Sequence, residues 1–484
     1  MSLGEDITGQ EMAVIDANAA ALGVPRKQLM EASGHAVARA VKADADPDDE
    51  IAIVAGRGNN GGDAFVAARF LDDYQIRVHL LGRPETITTD IARENWEALT
   101  RAEITTTVVG DSTALDLGEP DLFVDAMLGT GISGDLREPM ATAAAQMNAS
   151  DSAVVSVDVP SGLDAETGTL AANAVAADHV VTFHKPKPGL DALEAPVTVA
   201  DIGVPSAAER FVERGDLQRL SRPADTHKGD FGEVLVIGGG PYTGAPALTA
   251  QAALRAGADL ARVACPEPVA RELQGYSENL IVRPFEGERF SPHAVETVAE
   301  LAAEHDTVVL GPGLGDHDNT LVAVQNFLTQ FTGTAVVDAD ALQVVPGVDT
   351  DATLLCTPHQ GELEQMGGQT ADGWRDRADL VEAFAAELGH TFLVKGRYDV
   401  VSDGERTRAN RTGNPGMTVG GTGDVLAGVM AALSATQEPF DAAAIGAYVN
   451  GTAGDRVVDA QGYGLVATDL LDSIPRVMWR GDDE

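Results

Sequence analysis

Two α/β domains, each a three-layer αβα sandwich, are predicted from three features of the 484-residue sequence. Strand-length apolar runs alternate with helix-length segments from end to end, which argues for α/β order. The runs are nearly continuous in Val, Ile and Leu, as parallel strands buried on both faces require. The length also exceeds the ~250–300 residues at which a single hydrophobic core stops growing.

Helical segments over 9–23 and 28–42 open the chain. Five strand-length runs follow: IAIVA (51–55), RVHLL (77–81), DLFVDAML (121–128), AVVSVDV (153–159) and HVVTF (179–183). A polar stretch, ERGDLQRLSRPADTHKGD (213–230), then interrupts the alternation once. It sets the first domain at 1–214, a linker at 215–225 and the second domain at 226–484. Beyond it come EVLVIGG (233–239), ARVAC (261–265), DTVVLG (306–311), TAVVDA (334–339), TLLCT (353–357) and TFLVK (391–395).

Composition narrows the function. No apolar stretch approaches the ~20 residues of a membrane helix. The opening MSLGEDITGQEM lacks the basic-then-apolar layout of a signal peptide, so a cytoplasmic chain is expected. Cys265 and Cys356 are far apart and are expected as buried thiols, not as a disulfide or metal pair. Seventy-five acids against 33 bases leave a net charge of −42. Such a charge argues against a nucleic-acid partner, because phosphate contacts demand a basic face. It suits a solvated acidic surface in high salt, where self-repulsion is screened. Only six lysines occur (Lys27, Lys42, Lys185, Lys187, Lys228 and Lys395), so a lysine inside a motif carries more weight.

In the first half, IAIVAGRGNNGGDAFVAARFL (51–71) reads as strand, glycine turn and helix. Gly56, Gly58 and Gly61 satisfy G-x-G-x-x-G, which fits a Rossmann-like dinucleotide turn and a plain tight turn about equally well. Asn59 and Asn60 can offer amide oxygens to a cation or hydrogen bonds to a ligand, and Asp63 can cap the helix. VDAMLGTGISGDL (124–136) and SVDVPSGLDAETG (156–168) place Asp125, a second glycine loop, Asp158 and Ser161 at strand carboxyl ends. Open α/β sheets hold their ligands there. One such acid is commonly a turn residue. Three polar loops meeting at one sheet edge point to a pocket for a phosphate-bearing ligand, with an oxygen-rich cation site.

These motifs, with TFHKPKPGL (182–190) after them, closely resemble the NAD(P)HX epimerase (YjeF N-terminal) family over roughly residues 5–213. That family interconverts the R and S epimers of NADH or NADPH hydrated at C6 of the nicotinamide ring. The resemblance implies substrate contacts at Asn59, Asn60, Gly61, Gly62 and Asp63, and at Asp158. It implies further contacts at Gly129, Thr130, Gly131, Ile132, Ser133, Gly134 and Asp135. It also implies a potassium ion (K+) held by Asn60, Asp125 and Ser161, with Asp125 as the acid–base aspartate. A carboxylate beside a cation would start as a base.

In the second half, Gly238 to Gly240 follow a strand and Gly244 opens a helix, without the Gly-Lys-Ser/Thr ending of a Walker P-loop. LGPGLGDHD (310–318) is another glycine turn, and Asp338 and Asp340 sit at a strand end. CTPHQGELEQM (356–366) sets His359 after a strand, as a ligand contact or a structural hydrogen bonder, and Glu362 at a helix start. Lys395 ends a strand, where an ammonium can meet a phosphate. In NPGMTVGGTGDVLAGVM (414–430), Gly420, Gly421, Thr422 and Gly423 let successive amides point into one cavity at a helix start. That builds an anion hole, with Asp424 beside it to take a proton. The plain alternative is a glycine turn with Asp424 as a cap.

This arrangement resembles the ribokinase-like superfamily. From about Arg219 onward, HKGDFGEVLVIGG, GPGLG, TPHQGE, VKG and NPGMTVGGTGDVLAG are more fully similar to ADP/ATP-dependent NAD(P)HX dehydratases. The fusion resembles bifunctional NAD(P)H-hydrate repair enzymes. The resemblance implies hydrated-cofactor contacts at Ala253, Gly315, His359 and Asp424, with Asp424 catalytic. It implies adenine-nucleotide contacts at Lys395, Gly396, Arg397, Tyr398, Asp399 and Gly423, although KGRYD departs from the usual small hydroxyl residues after KG. ADP is the implied co-substrate, with ATP as the alternative, Mg2+ as the companion ion, and AMP and phosphate as products. The expected protein is a homo-oligomer acting on small molecules, with no membrane or nucleic-acid partner. A small-molecule kinase, which would release a stable phosphorylated product, and a non-catalytic nucleotide sensor are the rival readings.

Overall fold

The computed structural model describes residues 6–131 and 134–479. Two compact units divide between Ala208 and Glu209. Each is built on one sheet.

The N-terminal sheet contains β1 (Glu50–Ala55), β2 (Gln75–Leu81), β3 (Thr106–Val109), β4 (Leu122–Ala126), β5 (Ala153–Val157), β6 (His179–Phe183) and β7 (Val197–Ala200). All pair in parallel, in the order β3-β2-β1-β4-β5-β6-β7. The chain runs outward from β1 to β3, restarts beside β1 with β4, and runs outward again to β7. The carboxyl ends of β1 and β4 therefore flank a topological switch point, the crevice where such sheets bind ligands. Helices Gly9–Ala21 and Arg26–Asp44 precede the sheet, close to the segments predicted. Thr8 starts the first with a capping box: its hydroxyl accepts from Glu11 N (3.2 Å), and the Glu11 carboxylate accepts from Thr8 N (2.9 Å).

The C-terminal sheet contains β8 (Glu233–Ile237), β9 (Leu260–Pro266), β10 (Ile281–Phe285), β11 (Thr307–Leu310), β12 (Thr334–Val337), β13 (Thr353–Cys356), β14 (Thr391–Val394), β15 (Asp399–Ser402) and β16 (Thr407–Asn410). Their order is β10-β9-β8-β11-β12-β13-β14-β15-β16, all running one way except β15, which pairs antiparallel with both β14 and β16. Here the switch point lies between β8 and β11. Alternation along β8 separates two apolar layers. Val234 and Val236 pack with Ala250 and Val425 of helices Gly244–Ala256 and Thr422–Ser434. Leu235 and Ile237 pack with Phe327 and Val324 on the opposite face. Cys265 in β9 and Cys356 in β13 are free, buried thiols. Burial raises both pKa values, that of Cys265 to about 12. Among the described residues, no helix is long and apolar enough to cross a membrane.

Five strands fall outside the apolar runs read from the sequence: β3, β7, β10, β15 and β16. Four of them are sheet edges. β3, β7 and β10 each have two exposed positions, which breaks their apolar pattern. β16 is polar in sequence yet buried, because the chain covers its own edge. Val212 N donates to Ala409 O (2.9 Å), and the Arg408 guanidinium reaches Phe211 O (2.6 Å) and Asp216 Oδ2 (2.9 Å). Arg411 pairs with Glu213, and Arg219 with Asp441 (3.3 Å). Residues 215–219, expected in a linker, are thus part of a 3-10 turn packed into the C-terminal unit.

Breaking a buried ion pair leaves its other charge uncompensated, at a cost of about 3–5 kcal/mol. Asp216→Ala is expected to lower the stability of the C-terminal unit by about that much, read from its urea transition. Lys27→Ala breaks an exposed pair with Glu94 and is expected to cost less than about 1 kcal/mol.

Candidate active sites

A cavity of about 810 Å³ opens at the switch point of the N-terminal sheet, and Asn59, Asn60, Asp63, Gly129, Thr130, Gly131 and Asp158 line it. Sequence reasoning placed all seven there. The glycine turn owes its residue types chiefly to packing: a Cβ on Gly56 would stand 1.9 Å from Met127 O, and one on Gly61 2.1 Å from Gly56 O. Gly61 and Gly62 are buried in helix Asn59–Phe70 and do not line the cavity. Gly134 and Asp135 are exposed and lie off its wall. Ile132 and Ser133 lie outside the described residues.

Asp125 departs most from its expected role. It is fully buried in β4 and absent from the cavity wall. Each carboxylate oxygen accepts two donors: Oδ1 from Ser161 Oγ (2.6 Å) and Met127 N (3.2 Å), Oδ2 from Ser161 N (2.8 Å) and Ser156 Oγ (3.0 Å). Burial pushes its pKa up against the Ser161, Met127 and Ser156 hydrogen bonds that pull it down. This geometry makes Asp125 the clamp of the cavity loops, not a group that meets substrate. Ser161 Oγ also accepts from Leu128 N (3.1 Å), while Asn60 Nδ2 donates to Leu128 O (2.7 Å). That leaves Asn60 Oδ1 buried without a partner. Of the three residues expected to hold K+, Asn60 offers an unpartnered buried oxygen of the kind such an ion takes, whereas the Asp125 oxygens and Ser161 Oγ are engaged in hydrogen bonds.

Charged residues that sequence reasoning did not single out also line the cavity: Asp16, Arg26, Arg57, Asp90 and Lys187. Lys187 is 1% exposed. Its ammonium pairs with Asp158 Oδ1 (2.8 Å) and donates to Thr182 Oγ1 and Phe183 O (3.0 Å each). Thr182 Oγ1 in turn donates to Asp158 Oδ1 (3.0 Å), and Asp158 is held at φ +66°. The signal for Lys187 was the scarcity of lysine. Asp16 sits on an N-terminal helix that carries no motif.

In the C-terminal unit, Lys395 ends β14 and its ammonium lies 3.0 Å from Asp338 Oδ1 at the end of β12. Thr357 Oγ1 donates to the same oxygen (2.7 Å). Lys395 N donates to Pro358 O (2.9 Å), joining the ends of β13 and β14. The ammonium also stands beside the start of helix Thr422–Ser434, 3.5 Å from where a Cβ on Gly423 would be. Gly421 begins that helix in the left-handed region at φ +98°, and no side chain caps it. Its first amides are therefore available to an anion. The Thr422 hydroxyl is turned back to Met417 O (3.0 Å), so Thr422 offers only its N–H. Asp455 steadies the preceding loop through Gly413 N (2.9 Å) and Asn414 Nδ2 (2.8 Å). Burial and the nearby Asp338 raise Asp424 to about 7, against Lys395, which lowers it.

His359 acts as a cap: its Nδ1 accepts from Glu362 N (3.0 Å), and Glu362 accepts from His359 N (2.7 Å). Its ring stays 59% exposed, leaving its other edge open at the site. Gly315 adopts φ +76° in the loop after β11. Tyr398 stacks on Trp374 (5.5 Å). Gly396 and Arg397 are exposed in the same turn. Asp399 is consumed within that turn, accepting from Gly396 N and Asn410 Nδ2 (3.0 Å each), so it braces the segment. Ala253 is fully buried in the core on helix Gly244–Ala256, which removes its side chain from any ligand and corrects the contact expected there. For Mg2+, no cluster of three metal-ligating His, Cys, Asp or Glu side chains occurs among the described residues. Such an ion would take most of its ligands from nucleotide and water. Burial, Asp316 and Glu362 raise the pKa of Asp340 in the same region.

Comparison with known proteins covers both units. The family described as YjeF-related protein N-terminus matches residues 26–189, and the NAD(P)H-hydrate dehydratase family matches residues 234–476. The bifunctional NAD(P)H-hydrate repair enzyme of Pyrobaculum aerophilum is 45% identical, over 98% of each chain. Its counterpart in Methanothermobacter thermautotrophicus is 42% identical, over 97% of this chain and 94% of that one. That of Archaeoglobus fulgidus is 41% identical, over 98% and 99%.

The raised pKa of Asp424 has a stability consequence. The folded state holds this proton up to about pH 7, whereas the unfolded chain releases it near 3.8, as an ordinary aspartate does. The group's contribution therefore becomes unfavourable as pH rises through that window. Asp424→Asn is expected to raise the melting temperature of the C-terminal unit at about pH 8, with a smaller gain at about pH 5.

Proposed function

Because the chain belongs to the bifunctional NAD(P)H-hydrate repair family, we propose that its N-terminal unit interconverts the R and S epimers of hydrated NADH and NADPH. The C-terminal unit dehydrates the S form to NAD(P)H, converting ADP to AMP and phosphate. The observation that carries this reading is the meeting of Lys395, the uncapped start of helix Thr422–Ser434 and the high-pKa Asp424 at one place.

Hydroxide is a poor leaving group, and phosphorylation turns it into a good one. Asp424 takes the proton of the C6 hydroxyl. The oxygen attacks the terminal phosphoryl of ADP, and AMP departs. The helix-start amides from Thr422 and Gly423 and the Lys395 ammonium hold the phosphoryl charge. The ring nitrogen's electron pair then expels phosphate, and loss of the C5 proton restores the dihydronicotinamide. Bound Mg2+ would neutralise charge on the nucleotide phosphates. Tyr398, stacked on Trp374, offers the adenine a flat partner. In the epimerase unit, Asn60 Oδ1 would be the open ligand for K+, with Asp125 and Ser161 joining by giving up hydrogen bonds. Fusion keeps the S epimer supplied to the dehydratase. The acidic surface suits a cytoplasm rich in salt.

Asp424→Asn is expected to lower ADP-dependent recovery of NADH absorbance by about 10²–10⁴-fold while epimerisation persists. The unaltered protein should lose dehydratase rate as pH falls through about 7, where Asp424 becomes protonated. Near wild-type recovery by the variant would refute the assignment, and a stable phosphorylated product would favour a kinase. Screening of the −42 charge predicts a melting temperature that rises between low and molar KCl. A flat or falling response would refute the high-salt reading.

A further inference from the structure

We propose that the proton shuttle of the epimerase is the pair Asp16 and Asp63, facing one cavity, with the Lys187–Asp158 ion pair as its positioning element. The proposal rests on the epimerase reading of the N-terminal unit and deepens it.

Geometry carries it. Epimerisation at a carbon bearing both hydroxyl and ring nitrogen needs one group to accept a proton and one to give it. Asp125 can do neither at the substrate, since it is fully buried, off the cavity wall and saturated with donors. Asp16, Asp63, Asp90 and Asp158 line the cavity with Arg26, Arg57 and Lys187, and Asp90 is solvated and paired with Arg93 (2.7 Å). Among these, Asp158 is committed to the Lys187 ammonium at 2.8 Å. Asp63 is 9% exposed and has no side-chain hydrogen bond among the described residues. Asp16 Oδ1 is buried without a partner. Three carboxylates around one ammonium cannot all ionise cheaply, so one keeps its proton. Burial, then Asp158 and Asp16, raise Asp63 well above the carboxylate range, against Lys187. Burial raises Asp16 only to about 6, because Arg26, His184 and Lys187 oppose it and only Asp158 adds to the rise. The more strongly raised Asp63 is thus assigned as the proton donor and Asp16 as the acceptor.

The step balances without a co-reactant. Asp16 takes the C6 hydroxyl proton. The oxygen's electron pair forms the carbonyl of a C6 aldehyde as the C6–N1 bond breaks. That bond's electrons move to N1, which Asp63 protonates. Rotation about C5–C6 presents the other aldehyde face. N1 then closes on C6 and returns its proton to Asp63, while the oxygen takes the proton from Asp16. The product is the opposite epimer.

The test uses the full chain and pure R epimer, with S measured by chromatography across pH. Dehydration of pure S with ADP by the same preparations reports on the other unit. Asp16→Asn and Asp63→Asn are each expected to slow R-to-S conversion at least about 100-fold while S dehydration continues. Asp16→Asn should abolish the acid limb of the pH profile, near 6 in the unaltered protein, and Asp63→Asn the alkaline limb. Asp16→Glu and Asp63→Glu keep a carboxyl in the cavity and should retain both limbs at a lower rate. Conversion within about threefold of wild type in either Asn variant, or loss of a limb in a Glu variant, would overturn the assignment. If the unaltered protein dehydrates S but never converts R, the epimerase reading fails and takes the proposal with it.

Discussion

An ammonium that faces more than one carboxylate, buried at Lys187 and partly buried at Lys395, sets the electrostatics at both sheet edges. Lys187 pairs with Asp158 at one sheet edge, and Lys395 with Asp338 at the other. In each case another aspartate shares the same low-dielectric space without a cation of its own. Desolvation and the neighbouring negative charge then raise its pKa. Two of the six lysines in the chain are spent in this way. Each lysine is engaged by one carboxylate, and the next carboxylate, desolvated beside that pair, has its pKa raised.

Parallel sheets make this arrangement accessible. Every strand delivers its carboxyl end to one edge, so residues far apart in sequence converge there. Asp338, Thr357 and Lys395 follow three adjacent strands and form one hydrogen-bonded group. The main-chain link from Lys395 to Pro358 fixes the height of that group against the start of helix Thr422–Ser434. Glycines then bring backbone close to whatever occupies the crevice. Some serve packing alone: Gly61 closes on Gly56 and never reaches the cavity.

The two central sheets were legible in sequence because their strands are apolar on both faces. The edges were not, since β3 and β7 are half solvated and β16 is polar under a cover supplied by residues 211–219. Burial of Arg408 against Asp216 cannot be read from a local pattern. The two residues lie 192 positions apart. Motif reading brought Asn60, Asp63 and Asp158 to one cavity. It could not foresee the donors around Asp125, because a motif gives the position of a carboxylate but not the number of hydrogen bonds it accepts. It missed Asp16 because helix Gly9–Ala21 has no glycine signature, and its contribution depends on packing against a distant strand edge.

The placement of the two cysteines has a further bearing on physiology. Both thiols are shut inside the C-terminal sheet and kept protonated, with Cys265 pushed to about 12. Thiolate is the species that peroxides and electrophiles attack. Neither cysteine offers such a thiolate, which closes the thiol route of oxidation and alkylation in the C-terminal sheet.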